Sequence, residues 1–260
     1  MKIISWNVAG LRALLKKNGL NFTLNTDIDI ICMQETKALE SEVSISKELQ
    51  ENFPYRYWGE NHGETQRKGL SGTCIWSKVP AIRQFPTMDF DTEGRITAVE
   101  FDEFNIVTVY TPNSQSPYSE RFMLRASIWD EEFKEYVTAA NKFKPTIICG
   151  DFNVAHLDLD IYAPDKHRDK FAGFLDLERN NFSALLASGF QDAFRMFHAA
   201  EPEQYTYWDQ IRPHMRKNNK GWRIDYFLTP KYITQIKDCT IHPHILGSDH
   251  CPISLELMTQ

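Results

Sequence analysis

Lys2-Ile-Ile-Ser-Trp-Asn7-Val8 and Thr146-Ile-Ile-Cys-Gly-Asp-Phe-Asn153-Val154 echo one another and set the architecture of the chain. Each is a short apolar run that ends in an amide, and the two open the two halves of the chain. Strands that are apolar on both faces need cover on both sides. Their likeness predicts two similar sheets facing each other inside one domain. Working outward, the same punctuation recurs. Lys2–Trp6, Ile28–Met33, Thr73–Trp76, Ile96–Phe101, Asn105–Tyr110, Thr146–Cys149, Ile224–Leu228 and Ile253–Leu257 all read as strands. Helical segments interleave with them. The longest predicted helix runs from Pro117 to about Phe143, with Ser116 as N-cap and Pro117 at the first helical position. Its stripe is Phe122, Ala126, Trp129, Phe133, Val137 and Ala140. Leu11–Lys17, Ile45–Glu51 and Leu175–Ala187 are shorter candidates. Several strands follow one another through turns such as Lys78-Val79-Pro80, which implies an α/β fold with mixed sheets rather than a pure βαβ series.

The composition sets the frame. Of 260 residues, 42% are hydrophobic and 25% charged, which excludes disorder, collagen-like repeats and coiled coil. A single domain over 1–260 is expected. No run approaches the ~20 apolar residues of a membrane span, and the N-terminus turns polar too soon for a signal peptide. The five cysteines (Cys32, Cys74, Cys149, Cys239, Cys251) lack zinc-ligand or CxxC spacing and read as buried, reduced thiols of a protein that is not secreted. A net charge of −6 argues against indiscriminate adhesion to polyanions, but a local basic patch still suits a phosphate backbone.

The chemistry lies where the apolar runs end. Ile28–Met33 stops at Gln34-Glu35, and Thr146–Cys149 stops at Gly150-Asp151-Phe152-Asn153. Asp225 opens the apolar Tyr226-Phe227-Leu228, and Leu246-Gly247 leads into Ser248-Asp249-His250. One strand-end acid is ordinarily a turn or cap residue. Four acids, two amides (Asn7, Asn153) and a histidine in like positions form a costly set, since an acid drawn to the edge of a core needs a cation or donors. Strand ends of α/β scaffolds are where sites are built. Oxygen donors without clustered Cys or His suit Mg²⁺ or Mn²⁺ rather than zinc. The segment Gln210–Ile224 carries Arg212, Arg216, Lys217, Lys220 and Arg223 without an acid, between Tyr207-Trp208 and Trp222, and reads as a loop that holds a nucleic-acid backbone.

SWNVAGLRA (5–13), MQETK (33–37), TEGR (92–95), VYTPNS (109–114), CGDFNVAH (149–156), GWRIDYF (221–227) and LGSDHCP (246–252) resemble the exonuclease III family of abasic-site endonucleases, in order and along nearly the whole chain. The resemblance implies a four-layer α/β sandwich: two mixed β-sheets packed face to face and flanked by helices. It also implies Mg²⁺-dependent incision of double-stranded DNA 5′ to abasic sites, with 3′→5′ exonuclease activity and repair of blocked 3′ ends. The implied setting is the cytoplasm (nucleoid) or a nucleus, and a monomer is expected. Glu35, Asp249 and Asn7 match the metal-site residues. Asp151, His250, Asp225, Asn153 and Tyr110 match the catalytic groups. Asn113, Tyr207, Trp222, Ile224 and Arg216 fall at substrate contacts, with Tyr207, Trp222 and Ile224 lining a pocket for a sugar without a base.

Three positions depart from the family pattern. Ala9 stands where Asn or Asp is usual, which implies weaker Mg²⁺ binding. His167 and Phe171 fall roughly where asparagines precede Ala-Gly-Phe. Ser114-Gln115-Ser116 lacks an arginine that some relatives have. The fold is also that of small-phosphoester hydrolases such as inositol-polyphosphate phosphatases, and a nucleic-acid binder with a vestigial site is the non-enzymatic alternative. The intact acids and His250 favour the enzyme.

Overall fold

Alternation along β-strands builds the centre of the molecule. Ile30 and Cys32 point one way, into a core shared with Ile147, Cys149 and Phe227, while Ile31 and Met33 point the other way, under helices. The computed structural model describes residues 1–59, 70–212 and 214–258. Within them lie strands β1 (Lys2–Asn7), β2 (Ile28–Gln34), β3 (Tyr55–Trp58), β4 (Thr73–Ser77), β5 (Arg83–Gln84), β6 (Ile96–Glu100), β7 (Asn105–Tyr110), β8 (Thr146–Asp151), β9 (Phe190–Asp192), β10 (Asp225–Pro230), β11 (Ile236–Ile241) and β12 (Ile253–Leu257). They form two six-stranded mixed sheets, ordered β11-β12-β1-β2-β4-β3 and β5-β6-β7-β8-β10-β9. Helix Leu11–Lys16 and helix Lys47–Asn52 cover the first sheet through Leu11, Leu14 and Leu49. Helix Asp130–Phe143 and helix Asp176–Ala187 cover the second through Phe133, Val137, Phe182 and Leu185. The result is the expected four-layer α/β sandwich. No described helix is long and apolar enough to cross a membrane.

The two sheets repeat one plan, although the matching strands differ from the pair that the sequence suggested. β1 and β2 are parallel with β4 antiparallel beside them, as β7 and β8 are parallel with β10 beside them. β2 therefore corresponds to β8, and the visible trace is Ile30-Ile31-Cys32 against Ile147-Ile148-Cys149 rather than the likeness of β1 to β8. Gly150 lets β7 and β8 approach closely just before the site. A Cβ there would stand 2.0 Å from the Val109 carbonyl oxygen.

Two differences from the sequence expectations have plain physical causes. The strands without an apolar signal, β3, β5, β9 and β11, are the four sheet edges, which pair on one side only and so need no continuous hydrophobic run. The long helix starts later than expected. Ser119, not Ser116, caps it, its hydroxyl accepting from the Phe122 N–H at 3.0 Å, and Pro117 lies outside. Residues Arg125–Trp129 then form a π-turn before the α-helix resumes at Asp130. That bulge brings Arg125 inward, where it is buried.

Candidate active site

The register of β8 on β10 sets Asp151 directly opposite Asp225. Like charges across an antiparallel pair repel, and both side chains are almost wholly buried, so the pair needs a cation or donors. His250 is the first answer. Its Nδ1 lies 2.7 Å from Asp225 Oδ2, and its Nε2 lies 3.8 Å from Asp151 Oδ2. The loop that brings it is tied down: the Trp6 indole donates to the His250 carbonyl at 3.1 Å, and the His250 N–H donates to Ser248 Oγ at 3.2 Å. Tyr207 packs on the imidazole with ring centroids 4.9 Å apart.

Asn7 is the second answer. Its Nδ2 donates to Asp151 Oδ2 at 2.8 Å and to Glu35 Oε1 at 3.0 Å, which joins the two acids across the sheets. Its own carbonyl oxygen accepts from the Ala9 N–H at 3.0 Å. The Ser248 hydroxyl donates to the Asn7 main-chain carbonyl at 2.7 Å and lies 3.1 Å from Asp249 Oδ1. Glu35, Asp151, Asp225, Asp249 and His250 thus gather around Asn7 at one rim of the sandwich. Backbone is bent to achieve this. Ala9, Glu35, Lys37 and Asn153 are all left-handed, with φ between 49° and 52°, a conformation that non-glycine residues adopt at a cost and mostly at sites.

Protonation follows from these neighbours. Burial alone would lower the His250 pKa, but Asp225, Asp151 and Asp249 outweigh it and push the imidazole up to about 10. Burial raises Asp151 to about 7, helped by Asp225 and Glu35 and opposed by His250 and the Asn153 N–H. Glu35 resists its burial, because Lys37 (Nζ to Oε2, 2.8 Å) and Asn7 hold its carboxyl below the ordinary value. Tyr110 is kept a neutral donor, its phenol raised well above normal by burial beside Glu35 and Asp151. Arg95 braces it, 4.7 Å from the ring centroid and donating to the Tyr110 carbonyl at 3.0 Å. At neutral pH the rim therefore presents an imidazolium and an ionised Glu35, beside an Asp151 whose carboxyl holds its proton more firmly than an ordinary aspartate.

Asn153 and Asn113 extend the rim. Asn153 donates to the Thr111 carbonyl at 2.8 Å and accepts from Asn113 Nδ2 at 3.0 Å, leaving Asn113 exposed at the surface. Beside them lies an apolar cluster. Tyr207 and Trp222 exchange main-chain hydrogen bonds of 2.9 Å and pack with Ile224 and Phe174.

The basic segment divides. Arg216 is not turned to a ligand: it donates to the carbonyls of Ser248, Pro243 and Ile245 at 2.9, 3.0 and 2.8 Å, clamping the loop that leads to Asp249. Arg223 is buried and paired with Asp160 and Asp192 at 2.8 and 2.7 Å. Arg212 and Lys217 remain exposed, and Lys220 lies over Tyr162.

One supporting network escaped sequence reasoning. Arg125 donates to the carbonyls of Phe152 and Asn153 (2.8 Å each) and to Glu178 at 3.0 Å. Glu178 also accepts from Ser114 Oγ and the Gly173 N–H at 2.6 and 2.7 Å. This buried pair thereby joins the Asn113 loop, the Asn153 turn and the floor beneath Trp222. Its signal was present, as a charged residue on the buried stripe of each of two predicted helices.

The chain matches the model of the endonuclease/exonuclease/phosphatase family over residues 4–250. It belongs to that family. Within it, the chain is of the exonuclease III type. It is 40% identical to an exodeoxyribonuclease of Bacillus subtilis, with 98% of each chain covered. It is 38% identical to the DNA repair nuclease APEX1 of Danio rerio, covering 99% of this chain and 82% of that one. Among solved structures, a 3′ phosphatase, NExo from Neisseria, bound to a product DNA hairpin superposes with a TM-score of 0.89 at 26% identity, covering 100% of both chains. The fold is also that of an AP endonuclease from Archaeoglobus fulgidus, with a TM-score of 0.88 at 24% identity and 100% of both chains covered.

The rim of this family member fits a hard divalent cation. It offers carboxylate and amide oxygens, whereas all five cysteines are buried in the core. Glu35 and Asp249 bring their carboxylates to the same rim as Asp151 and Asp225, and Asp225 Oδ1 is buried without a hydrogen-bond partner.

Proposed function

We propose that this chain is a DNA-repair phosphodiesterase that uses Mg²⁺ to incise double-stranded DNA 5′ to abasic sites, with 3′→5′ exonuclease and 3′-end repair activity. It acts as a monomeric single domain, 1–260, in the cytoplasm (nucleoid) or nucleus. The observation that carries the reading is the joined set Asp225–His250–Asp151–Asn7–Glu35 beside an apolar cluster of Tyr207, Trp222 and Ile224.

Phosphodiester hydrolysis needs a water in line with the scissile bond, positive charge at the non-bridging oxygens and help for the leaving oxygen. Asp151, with a pKa of about 7, orients that water and takes its proton near neutral pH. Asn153, held by Thr111 and Asn113, fixes the water's approach and the phosphate beside it. His250, kept charged by Asp225, gives the phosphate a cationic donor, and this favours the donor role over that of a base. Tyr110 adds a neutral O–H donor. Asn7 spends both amide hydrogens on Asp151 and Glu35 and so spaces the acids, while its side-chain oxygen, which accepts from the Ala9 N–H, keeps a second lone pair for the ion. Glu35 and Asp249 would hold Mg²⁺, with Mn²⁺ able to replace it. When bound, that ion supplies the charge that offsets the developing negative phosphate. The apolar cluster accepts a base-less sugar and excludes a nucleoside by shape, since a nucleotide with no base to unstack or unpair is the cheapest to flip out.

The test is a labelled duplex with one tetrahydrofuran abasic analogue, incubated with Mg²⁺. Incision at the analogue, abolished by chelator and by Asp151→Asn, is expected. Intact duplex alongside turnover of an inositol phosphate or a phospholipid head group would assign the chain to the small-phosphoester branch of the fold instead.

A further inference from the structure

A row of rings leads outward from the catalytic histidine. Tyr207 packs on His250 at 4.9 Å and is bridged through its main chain to Trp222. The His167 ring meets Trp222 edge-on at 5.5 Å and 78°, and Phe171 follows at 5.3 Å from His167. The row is rigid at its base and open at its tip. His167 is fixed through its Nδ1, 2.8 Å from the Ala163 carbonyl oxygen, whereas Phe171 is 53% exposed. Lys166 and Lys170 are exposed near His167 in the chain, alternating with the exposed Asp165 and Asp169, and Lys220 lies over Tyr162. Trp222 thus joins the apolar cluster beside the catalytic set to a row of rings that ends on the exposed Phe171.

Resting on the reading of the apolar cluster as a nucleotide pocket, we propose that His167 and Phe171 form a stacking subsite for one unpaired nucleobase next to the nucleotide held against Trp222. Every nucleobase has a π-face, so aromatic platforms beside cationic grooves bind unpaired bases without regard to sequence. A paired base is spent in its own duplex stack and gains nothing from Phe171. The subsite selects substrates whose flanking nucleotide is unpaired, as at frayed or mismatched 3′ ends and in gaps next to a lesion.

The test uses duplexes carrying the tetrahydrofuran analogue with 2-aminopurine at the flanking position, either unpaired or paired with thymine, bound at saturating protein in the presence of a chelator. The unpaired probe is expected to be quenched at least twofold by the wild type. Phe171→Ala should lose that quenching and weaken binding of the unpaired duplex by about five- to a hundred-fold, the range for one base–aromatic stack. Phe171→Tyr should restore both. Equal quenching and equal affinity in wild type and Phe171→Ala would overturn the subsite. Incision of the same duplexes by the wild type with Mg²⁺ is read in parallel. Incision without Phe171-dependent quenching defeats only the subsite, and no incision defeats the reading of the apolar cluster on which it rests.

Discussion

Asp225→Asn is nearly isosteric and leaves an amide oxygen to accept the His250 Nδ1–H, so it removes charge while keeping shape. The wild-type imidazole, buried and still raised to about 10, owes its proton first to Asp225 at 2.7 Å and then to Asp151 and Asp249. Without the Asp225 charge, burial works against only Asp151 and Asp249, and a fall all the way to the ordinary value of about 6.5 is the upper bound of the effect. A fall of that size is worth roughly 5 kcal/mol of preference for the imidazolium, taken at 1.36 kcal/mol per pH unit. At pH 7.5 the wild type is essentially fully charged, while at that bound the variant is charged in about one molecule in ten. The deficit then widens roughly tenfold per pH unit up to the wild-type pKa. Single-turnover incision of an abasic duplex between pH 6 and 9.5, with a ¹³C-histidine NMR titration of the metal-free protein, measures both sides of this statement. Stability carries the same sign. A raised histidine contributes in full below pH 6.5 and loses its contribution as pH climbs to about 10, so the wild type weakens across that window more than the variant does. An activity deficit of equal size at every pH, or a His250 titration that stays above pH 9 in Asp225→Asn, would refute the reasoning.

Ala9 sits at φ 49° without the short polar side chain that eases this conformation, so Ala9→Asn should raise unfolding stability by about 0.5–1 kcal/mol in urea titrations made with chelator. Ala9→Asp should in addition move the Mg²⁺ dependence of incision to lower concentration, and an unchanged dependence counts against any link between this position and the ion. Glu178→Ala removes the nearer carboxylate from the buried Arg125, leaving Asp130 at 3.7 Å and the Phe152 and Asn153 carbonyls, and should cost about 3 kcal/mol by denaturant unfolding, whereas a loss under 1 kcal/mol would mean the pair is solvated in solution. Arg216→Ala should lower stability by about 1–2 kcal/mol yet leave the salt dependence of DNA binding unaltered. A shallower slope, by about one counterion, would mean that Arg216 meets a phosphate after all.

The legible parts of the chain were those where burial on both faces forces a continuous apolar run. β7 and β12 match their expected limits, and the central strands differ only at their ends. Those ends are informative in themselves, because β1, β2 and β8 continue by one or two residues into Asn7, Gln34 and Asp151, polar groups that hydrogen bonds keep in register. Site acids were visible for the same reason, as polar breaks in apolar runs. Less legible was the direction in which a cation points. Arg212, Arg216 and Arg223 are alike in sequence, yet the first faces solvent, the second holds backbone carbonyls and the third lies between Asp160 and Asp192. The partners of Arg216 and Arg223 lie tens of residues away, and no local spacing encodes them. The start of the long helix was obscured because Ser116 and Ser119 are both competent caps, and only the turn with Tyr118 at φ 60° decides between them.

The repeated plan of the sheets explains why there is one site rather than two. Row by row, Asn7–Gln34–Thr73 in the first sheet corresponds to Tyr110–Asp151–Asp225 in the second. Backbone geometry gives each row the same opportunity at the same rim, but the first is neutral and the second carries two acids. Gln34 donates to Ser5 and Thr108 at 3.0 and 2.8 Å and so closes the first row with neutral bonds. Acids in the first row as well would add two carboxylates to the four already gathered at this rim, where His250 meets Asp151 and Asp225 and Lys37 meets Glu35, and each unpaired buried charge would cost several kcal/mol. The asymmetry lets one sheet supply the reacting carboxylates and the other supply what holds them: the Asn7 amide to Asp151 and Glu35, the Asn7 carbonyl to Ser248, and Trp6 to the His250 backbone. Each half of the sandwich is therefore incomplete without the other, and the site exists only where the two central rows meet.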